Sequence, residues 1–499
     1  MVCLSHILMW GSSKLKDNLR ILFITYTHSG GGGAETVLTT LVNHLPKNWK
    51  VDILETLDMN RKKEMINPDI RLLPALTKQK SKAIDRMLRH ILFFHPEIIK
   101  GLRGLYGYDV VISWIYRDAS FMLPAFPECK RIAWFHGMVD DLLPFSTDDA
   151  NICFYKQMSF RLQKKACACA DRIVEISNKT KESIMRVLPE FSDKLEVVYN
   201  GVDIEKILHL SEMEIADADA ENIYRNLLNT REPILISIGR LDHNKNFSLA
   251  LQALSLLKEK GIFAYYLLIG KGFDAAEEQR LRSLVDEYGL DDRVFFLGFQ
   301  SNPYPFLKSS KLLLVTSLEE GFSMVAAESM AFGVPFVTTP VAGASEELAN
   351  GEKCGLVSDW DAEEYARKIE TLLKDEALYK QMSVACKEHV KTFSVQSAVN
   401  DFSELLETIP VKSASETTMS RRWALLLFIV YTCLGYVGRH AETLFFRFRM
   451  FKHNKNLLNI CKLSYRLGIF LLSFLCFPLL IVGATFLSIK HRDRLFGYE

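Results

Sequence analysis

Two glutamates bracket the run Glu320-Gly-Phe-Ser-Met-Val-Ala-Ala-Glu328, directly after the apolar stretch Leu312–Thr316. The order reads as a strand, a glycine-containing turn and a helix of small residues over Met324–Phe332, ending before Gly333-Val-Pro335. A turn of this kind aims the unpaired N–H groups of a helix start above the sheet, where they can hold an anion. One acid sits in the turn and the other roughly a turn and a half into the helix. Backbone donors for an anion beside two carboxylates for hydroxyl groups suit a ligand built of phosphate and sugar. Taken alone, the run also fits an ordinary βα unit with two surface glutamates.

Other runs carry compatible chemistry. Gly239-Arg-Leu-Asp-His-Asn-Lys245-Asn follows the strand-like Ile234–Ile238. Arg240 and Lys245 therefore leave the carboxyl end of a strand together, where open α/β sheets bind ligands. A guanidinium fork and an ammonium point charge suit a diphosphate, and a solvated basic loop is the competing reading. Gly270-Lys-Gly272 is a second tight turn after a strand. Gly30-Gly-Gly-Gly33 follows the first strand and opens a helix at Ala34-Glu35, which lets backbone approach a phosphate or sugar. Its spacing is not the dinucleotide pattern, and a flexible turn explains it too. His136-Gly137 ends another strand, which favours a functional imidazole over a structural one.

Asp217-Ala-Asp219 and Asp359-Trp-Asp361 spell a divalent-metal pair, but the first lies in an acidic stretch and Asp361 can cap a helix over Ala362–Leu372. No metal site is expected. Ten scattered cysteines show no zinc spacing, and unpaired thiols at this density suit a reducing cytoplasm. A net charge of +1 gives no argument for nucleic acid. Val2–Trp10 lacks a basic flank and a cleavage site and reads as a short extension rather than a secretory signal.

Those residues need elements to position them. Ile21–Thr27, Val51–Leu57, Val110–Trp114, Arg131–Phe135, Arg172–Ile176 and Leu195–Tyr199 are strand-like and alternate with helical spacing. After the polar stretch Glu212–Asn226 a second series follows: Ile234–Ile238, Tyr265–Ile269, Val294–Phe296, Leu312–Thr316, Phe336–Thr339 and Leu356–Ser358. With 499 residues, the chain is long enough for two such units. The expected organisation is a Rossmann-like domain over 19–205, a linker at 206–230, a second Rossmann-like domain over 231–392 and a closing helix within 393–410. Beyond Pro410, Trp423–Val437 and Leu467–Ile489 are apolar and flanked by basic residues. The second is long enough as a helix to cross a bilayer, so a membrane-anchoring helical tail is expected over 420–499, with the domains on the cytoplasmic side. The basic amphipathic region Lys78–Arg103 reads equally as a helix packed on its own sheet or as a surface for anionic lipid.

In this order and spacing the motifs resemble the family-4 group of retaining glycosyltransferases with the GT-B fold, from about Arg20 to about Thr408. The resemblance rests on Gly32-Gly33-Ala34-Glu35, His136-Gly137, Asn200-Gly-Val-Asp203, Gly239-Arg240-Leu241 with Lys245-Asn246, Val294–Phe299, Glu320-Gly-Phe-Ser with Glu328, and Gly333-Val-Pro335. It implies that Arg240 and Lys245 hold a donor diphosphate, that Glu320 contacts donor-sugar hydroxyls, and that Glu328 contacts the ribose. Backbone at Gly321, Phe322 and Ser323 would meet sugar and phosphate, His136 would reach the sugar from the first domain, and Gly32-Gly33 would lie near diphosphate and acceptor. Ser323 departs from the commoner glycine, which bears on donor choice more than on activity. The resemblance also implies a closing helix, Val395–Thr408, that crosses back to the first domain, retention of anomeric configuration, and no metal or other cofactor.

The expected function is transfer of a sugar from a UDP- or GDP-sugar to a lipid-linked or membrane-proximal glycan acceptor, with membrane lipids as further partners. A glycoside hydrolase using Glu320 and Glu328 leaves Arg240 and Lys245 unexplained. A catalytically degenerate GT-B protein serving as a membrane-bound assembly module is the remaining alternative, although every phosphate-gripping residue is present.

Overall fold

Both alternating series build parallel sheets, because their strands are apolar on two faces and so need cover on each. The computed structural model describes residues 18–27, 32–58, 66–78, 95–115, 117–140, 150–272, 275–412 and 419–428. The first sheet contains β1 (Arg20–Thr25), β2 (Lys50–Glu55), β4 (Arg71–Leu73), β6 (Val110–Trp114), β7 (Lys130–Trp134), β8 (Arg172–Glu175) and β9 (Leu195–Val197), in the order β4-β2-β1-β6-β7-β8-β9. A separate two-stranded pair, β3 (Leu57–Asp58) with β5 (Thr77–Lys78), lies outside it; these short strands and β4 carry no strand-length pattern in the sequence. The second sheet runs β12-β11-β10-β13-β14-β15, from β10 (Ile234–Ile238), β11 (Tyr265–Ile269), β12 (Val294–Gly298), β13 (Leu312–Val315), β14 (Phe336–Thr338) and β15 (Gly355–Val357). Each order reverses once, beside β1 in the first sheet and beside β10 in the second. At those reversals the connections diverge to opposite faces and leave a crevice at the strands' carboxyl ends.

Strand alternation sorts the core. Ile21 and Phe23 pack on one face of β1, Leu22 and Ile24 on the other. The cluster holding Phe23 continues through Val198, Val202, Phe322, Phe393 and Phe402 to Ile236 of the second sheet, so one apolar body joins the two lobes. The helix Val395–Thr408 follows the second lobe in sequence but lies on the first. Its Phe402 is surrounded by Phe23, Trp49 and Trp134, with ring centroids 6.4, 6.3 and 5.6 Å away. Within 206–230, Ala218–Leu228 is a helix capped by Asp217, and its Tyr224 hydroxyl donates to the Pro305 carbonyl at 2.9 Å.

The expected fold class needs one correction. The structure is a two-lobed α/β fold with parallel sheets, and among the described residues no helix is long and apolar enough to cross a membrane. Residues 421–428, the start of the tail expected over 420–499, instead form a short helix whose Ala424 and Phe428 join the core of the first lobe beside Ile98, Leu102 and Leu105. Tyr106 fixes the approach: its hydroxyl donates to the Met419 carbonyl and accepts from the Met419 N–H, each at 2.9 Å. The front of the first apolar segment is thus apolar because it packs on protein. The transmembrane helix and the membrane-associated placement derived from it are corrected with it. Residues 429–499, including Leu467–Ile489, lie outside the described residues, as do Val2–Trp10 and 79–94 of the basic amphipathic region. Two of that region's basic side chains are held by protein groups. Lys100 is 3% exposed and 2.5 Å from Glu128, and Arg103 donates to the Ala75 carbonyl.

Candidate active site

Packing fixes the backbone where β10 and β11 end. Gly239 N–H bonds to Ile269 and Gly270 N–H to Gly298. Gly270 has φ +150°, and a Cβ there would lie 1.7 Å from the Gly239 carbonyl oxygen, so only glycine fits. The loop leaving β10 then folds on itself. Asp242 accepts from the Lys245 N–H at 3.2 Å and closes a short turn, while Arg240 Nε donates to the same carboxylate at 2.5 Å. Asn246 adopts a left-handed φ of +46°, which turns the chain into the helix Phe247–Glu259.

The loop leaving β13 is fastened alongside. Asn244 donates to the Glu319 carbonyl at 2.9 Å and accepts from the Glu319 N–H at 3.1 Å, and Thr316 Oγ1 donates to the Lys245 carbonyl at 2.7 Å. These bonds bring two distant sequence motifs face to face. Lys245 Nζ lies 2.5 Å from Glu320 Oε1, and Ser317 Oγ donates to the same oxygen at 2.8 Å. Arg240 stays on the rim, with its side chain 51% exposed and oriented by Asp242.

The first lobe reaches the same place. A Cβ on Gly321 would stand 2.9 Å from the Gly137 Cα and 3.0 Å from the His136 carbonyl oxygen, so the bare backbone of the acidic turn is what lets the lobes meet here. The His136 ring lies 4.3 Å from Trp114 and is stacked at 8° on Trp134, and its buried Nε2 has no hydrogen-bond partner among the described residues. Burial lowers its pKa to about 3, so the imidazole is neutral at working pH and interacts by hydrogen bonding, not by charge. Phe322 turns into the joint between lobes beside Tyr199 and Phe393. Ser323 is 2% exposed, and its side chain does not cap the helix Met324–Phe332, so its hydroxyl does not take up the N–H groups of that helix start.

Glu328 lies further along this helix, where Tyr304 donates to its Oε1 at 3.2 Å. Burial pushes the Glu328 carboxyl up to about 7, with the Tyr304 hydrogen bond pulling the other way. Gly32 and Gly33 start the helix Gly33–His44, which also has no side-chain cap. A Cβ on Gly32 would fall 2.5 Å from Glu35 Oε2, whereas Gly33 faces open space. Gly30 and Gly31 lie outside the described residues. The structure therefore joins Lys245 directly to Glu320, and Gly321 to His136-Gly137. Glu328 is held by a separate partner, and Arg240 by its own loop. One member of each aspartate pair caps a helix: Asp217 caps Ala218–Leu228, and Asp361 caps Ala362–Lys374.

Two family descriptions match this framework. Residues 31–206 match Glycosyltransferase Family 4, and residues 219–389 match Glycosyl transferases group 1, so the matches together cover most of the chain and both lobes. The chain belongs to the family-4, group 1 glycosyltransferases. The resemblance carried by the motifs is upheld, and the protein is a nucleotide-sugar-dependent glycosyltransferase. Among curated relatives, this glycosyltransferase is 26% identical over 376 residues to the N-acetylgalactosamine-N,N'-diacetylbacillosaminyl-diphospho-undecaprenol 4-alpha-N-acetylgalactosaminyltransferase of Campylobacter jejuni, covering 74% of this chain and 95% of the relative. It is also 26% identical over 391 residues to the lipopolysaccharide core biosynthesis glycosyltransferase LpsE of Rhizobium meliloti, covering 78% and 99%. Anabaena Alr3699/HepE, solved in complex with UDP, superposes with a TM-score of 0.60 at 17% identity, covering 78% of this chain and all of HepE. That likeness shows the GT-B fold.

Sequence reading of the glycosyltransferase missed the residues that arrange its charged groups. Ser317, Asp242, Asn244 and Tyr304 each hold a named site side chain or its loop, and Ser317 and Tyr304 lie outside the glycine- and charge-bearing motifs. Asp242 and Asn244 stand inside the Gly239–Asn246 motif, and turn-forming polar residues there are the available signal. Ser317 and Tyr304 give none until the strands are assembled.

Proposed function

We propose that this glycosyltransferase retains anomeric configuration and moves a sugar from a UDP- or GDP-linked donor to a lipid-linked or membrane-proximal glycan. The observation that carries the donor reading is Lys245 Nζ at 2.5 Å from Glu320 Oε1, with the adjoining Gly321 against His136-Gly137. In this reading Lys245 and Arg240 neutralise the diphosphate, and charge growing on the leaving group is met by both cations and by the start of the helix Met324–Phe332. Cationic side chains supply that charge without a metal. Glu320 accepts from donor-sugar hydroxyls, and its contact with Lys245 aligns sugar and phosphate recognition. Neutral His136 donates to the sugar from the opposite lobe, Glu328 holds the ribose, backbone at Gly321, Phe322 and Ser323 faces sugar and phosphate, and Gly32-Gly33 borders the acceptor.

Support for a UDP-linked donor comes from HepE, whose solved forms include complexes with UDP and with UDP-glucose. Support for a lipid-linked acceptor comes from the named activities of the two curated relatives, one acting on a diphospho-undecaprenol glycan and one in lipopolysaccharide core assembly. The test is transfer from a panel of UDP- and GDP-sugars to undecaprenyl-diphosphate-linked oligosaccharides, with the product anomer read by NMR. Replacing Arg240 or Glu320 with alanine is expected to lower transfer at least 100-fold, on the scale of losing a charge-stabilising donor, with circular dichroism unchanged. Undiminished transfer in both variants removes the donor assignment, and an inverted anomer removes retention.

A further inference from the structure

Tyr304 stands outside every motif that carries the reaction, yet it touches one of the two acids. Its hydroxyl donates to Glu328 Oε1 at 3.2 Å, and its ring packs on Phe332, one helical turn beyond Glu328, with centroids 6.2 Å apart. The ring thus straddles successive turns of the helix Met324–Phe332 and brings the phenol to the acid between them. The backbone of Tyr304 is anchored in turn. Asn302 Oδ1 accepts from the Tyr304 N–H at 3.3 Å, while Asn302 Nδ2 donates to the Leu210 carbonyl at 2.7 Å. A chain of contacts therefore runs from the segment after β12, through Asn302 and Tyr304, to Glu328.

We infer that Tyr304 is a positioning residue for donor binding, holding Glu328 as an oriented carboxylate whose remaining lone pairs accept from the nucleotide ribose. The inference rests on the ribose role proposed above for Glu328. A phenol can donate to a carboxylate, and this bond favours the charged form that accepts from two hydroxyls. Without the bond, burial acts unopposed, and the acid holds its proton further into the neutral range. Tyr304 is the one ionisable side chain bonded to Glu328 among the described residues. Charged groups on neighbouring elements have other settings. Lys308 pairs with Glu212, Lys391 with Glu388, and Lys311 with Glu376, while His389 meets the Glu347 carbonyl. Lys387 lies along Gly333 past the helix end, and Glu205, Lys206 and His209 are exposed.

The test titrates the full-length protein with UDP and with GDP by calorimetry between pH 6 and pH 9, using wild type, Tyr304→Phe and Glu328→Gln. Tyr304→Phe keeps the ring that packs on Phe332. Its affinity for the nucleotide that wild type binds is expected to fall roughly tenfold at pH 7, the scale of one hydrogen bond to a charged group, and to approach wild type by pH 9. Wild type should weaken only below about pH 7. Glu328→Gln should bind weakly at every pH. If Glu328→Gln is weak but Tyr304→Phe tracks wild type throughout, or is weaker by a constant factor at all pH values, Tyr304 does not position the acid and the inference is overturned. If Glu328→Gln binds as wild type does, or wild type binds neither nucleotide, the ribose role itself fails and the inference falls with it.

Discussion

Single residues in the first lobe show what burial does to charge. Glu175 ends β8 with no exposed surface, and neither of its carboxylate oxygens has a hydrogen-bond partner among the described residues. Burial pushes its carboxyl well above the ordinary carboxylate range, against a smaller opposing influence from Thr180. Glu175 therefore keeps its proton when folded, whereas the unfolded chain releases it above about pH 4.5. The sign follows: the unfolded state binds fewer protons, so this residue lowers stability as pH rises from there, by at most about 1.4 kcal/mol per pH unit. Glu175→Gln removes the titration and nearly preserves the shape. Its stability relative to wild type is expected to increase by roughly 1–3 kcal/mol from pH 5 to pH 8, read as the difference in urea midpoints at the two values. A pH-independent difference would show that Glu175 does not bury a proton. His136 illustrates the opposite case, a base held neutral by burial, and so a donor of hydrogen bonds rather than of charge.

At the scale of elements, the acidic turn works because it lacks a side chain where it meets the other lobe. Gly321→Ala places a methyl within 3.0 Å of Gly137 Cα, Ile176 Cδ1 and the His136 carbonyl. Two of those neighbours are backbone and cannot swing away, so the lobes must part by some tenths of an ångström. A misplacement approaching 1 Å costs on the order of 100-fold in rate, so kcat is expected to fall by about 10- to 100-fold with both sheets intact by circular dichroism. Unchanged kcat would mean that this contact does not set the reacting geometry. The strands bordering this turn were legible in the sequence, since each parallel strand is a short apolar run closed by glycine or a polar residue. The charged and glycine motifs were legible at the carboxyl ends of those strands. Three features were not. The edge strands β3, β4 and β5 have two or three residues each, too few to show a period. The bonds from Ser317 and Tyr304 join segments brought together only by packing. An apolar run at Trp423 carries the same composition whether it faces lipid or, as its described start does, the Ile98–Leu102 face of a protein core.

The whole molecule is held together by a helix placed on the lobe to which it does not belong in sequence. Val395–Thr408 begins where Val202 and Ser394 pair, with Val395 N–H bonded to the Val202 carbonyl, and then runs over the first lobe, where Lys130 Nζ donates to the Leu406 carbonyl at 2.7 Å. Phe402 is its fully buried anchor, placed among Phe23, Trp49 and Trp134, and Trp134 in turn stacks on His136. Phe402→Ala should cost roughly 3–5 kcal/mol, the usual range for a large aromatic lost from a packed core. Its location makes two further demands. The anchor ties the end of the second lobe to the first, so losing it should weaken coupling between them, and one denaturation transition should broaden or split. The same cavity opens beneath Trp134, so support for His136 loosens and kcat should fall even under conditions where the variant is fully folded. Phe402→Leu, which refills much of the space, should recover most of both losses. The measurement is urea unfolding followed by tryptophan fluorescence and by circular dichroism, with transfer rates taken at low denaturant. Coincident transitions and wild-type kcat in a destabilised Phe402→Ala would show that the helix serves only the first lobe's stability, with no part in joining the lobes around the donor.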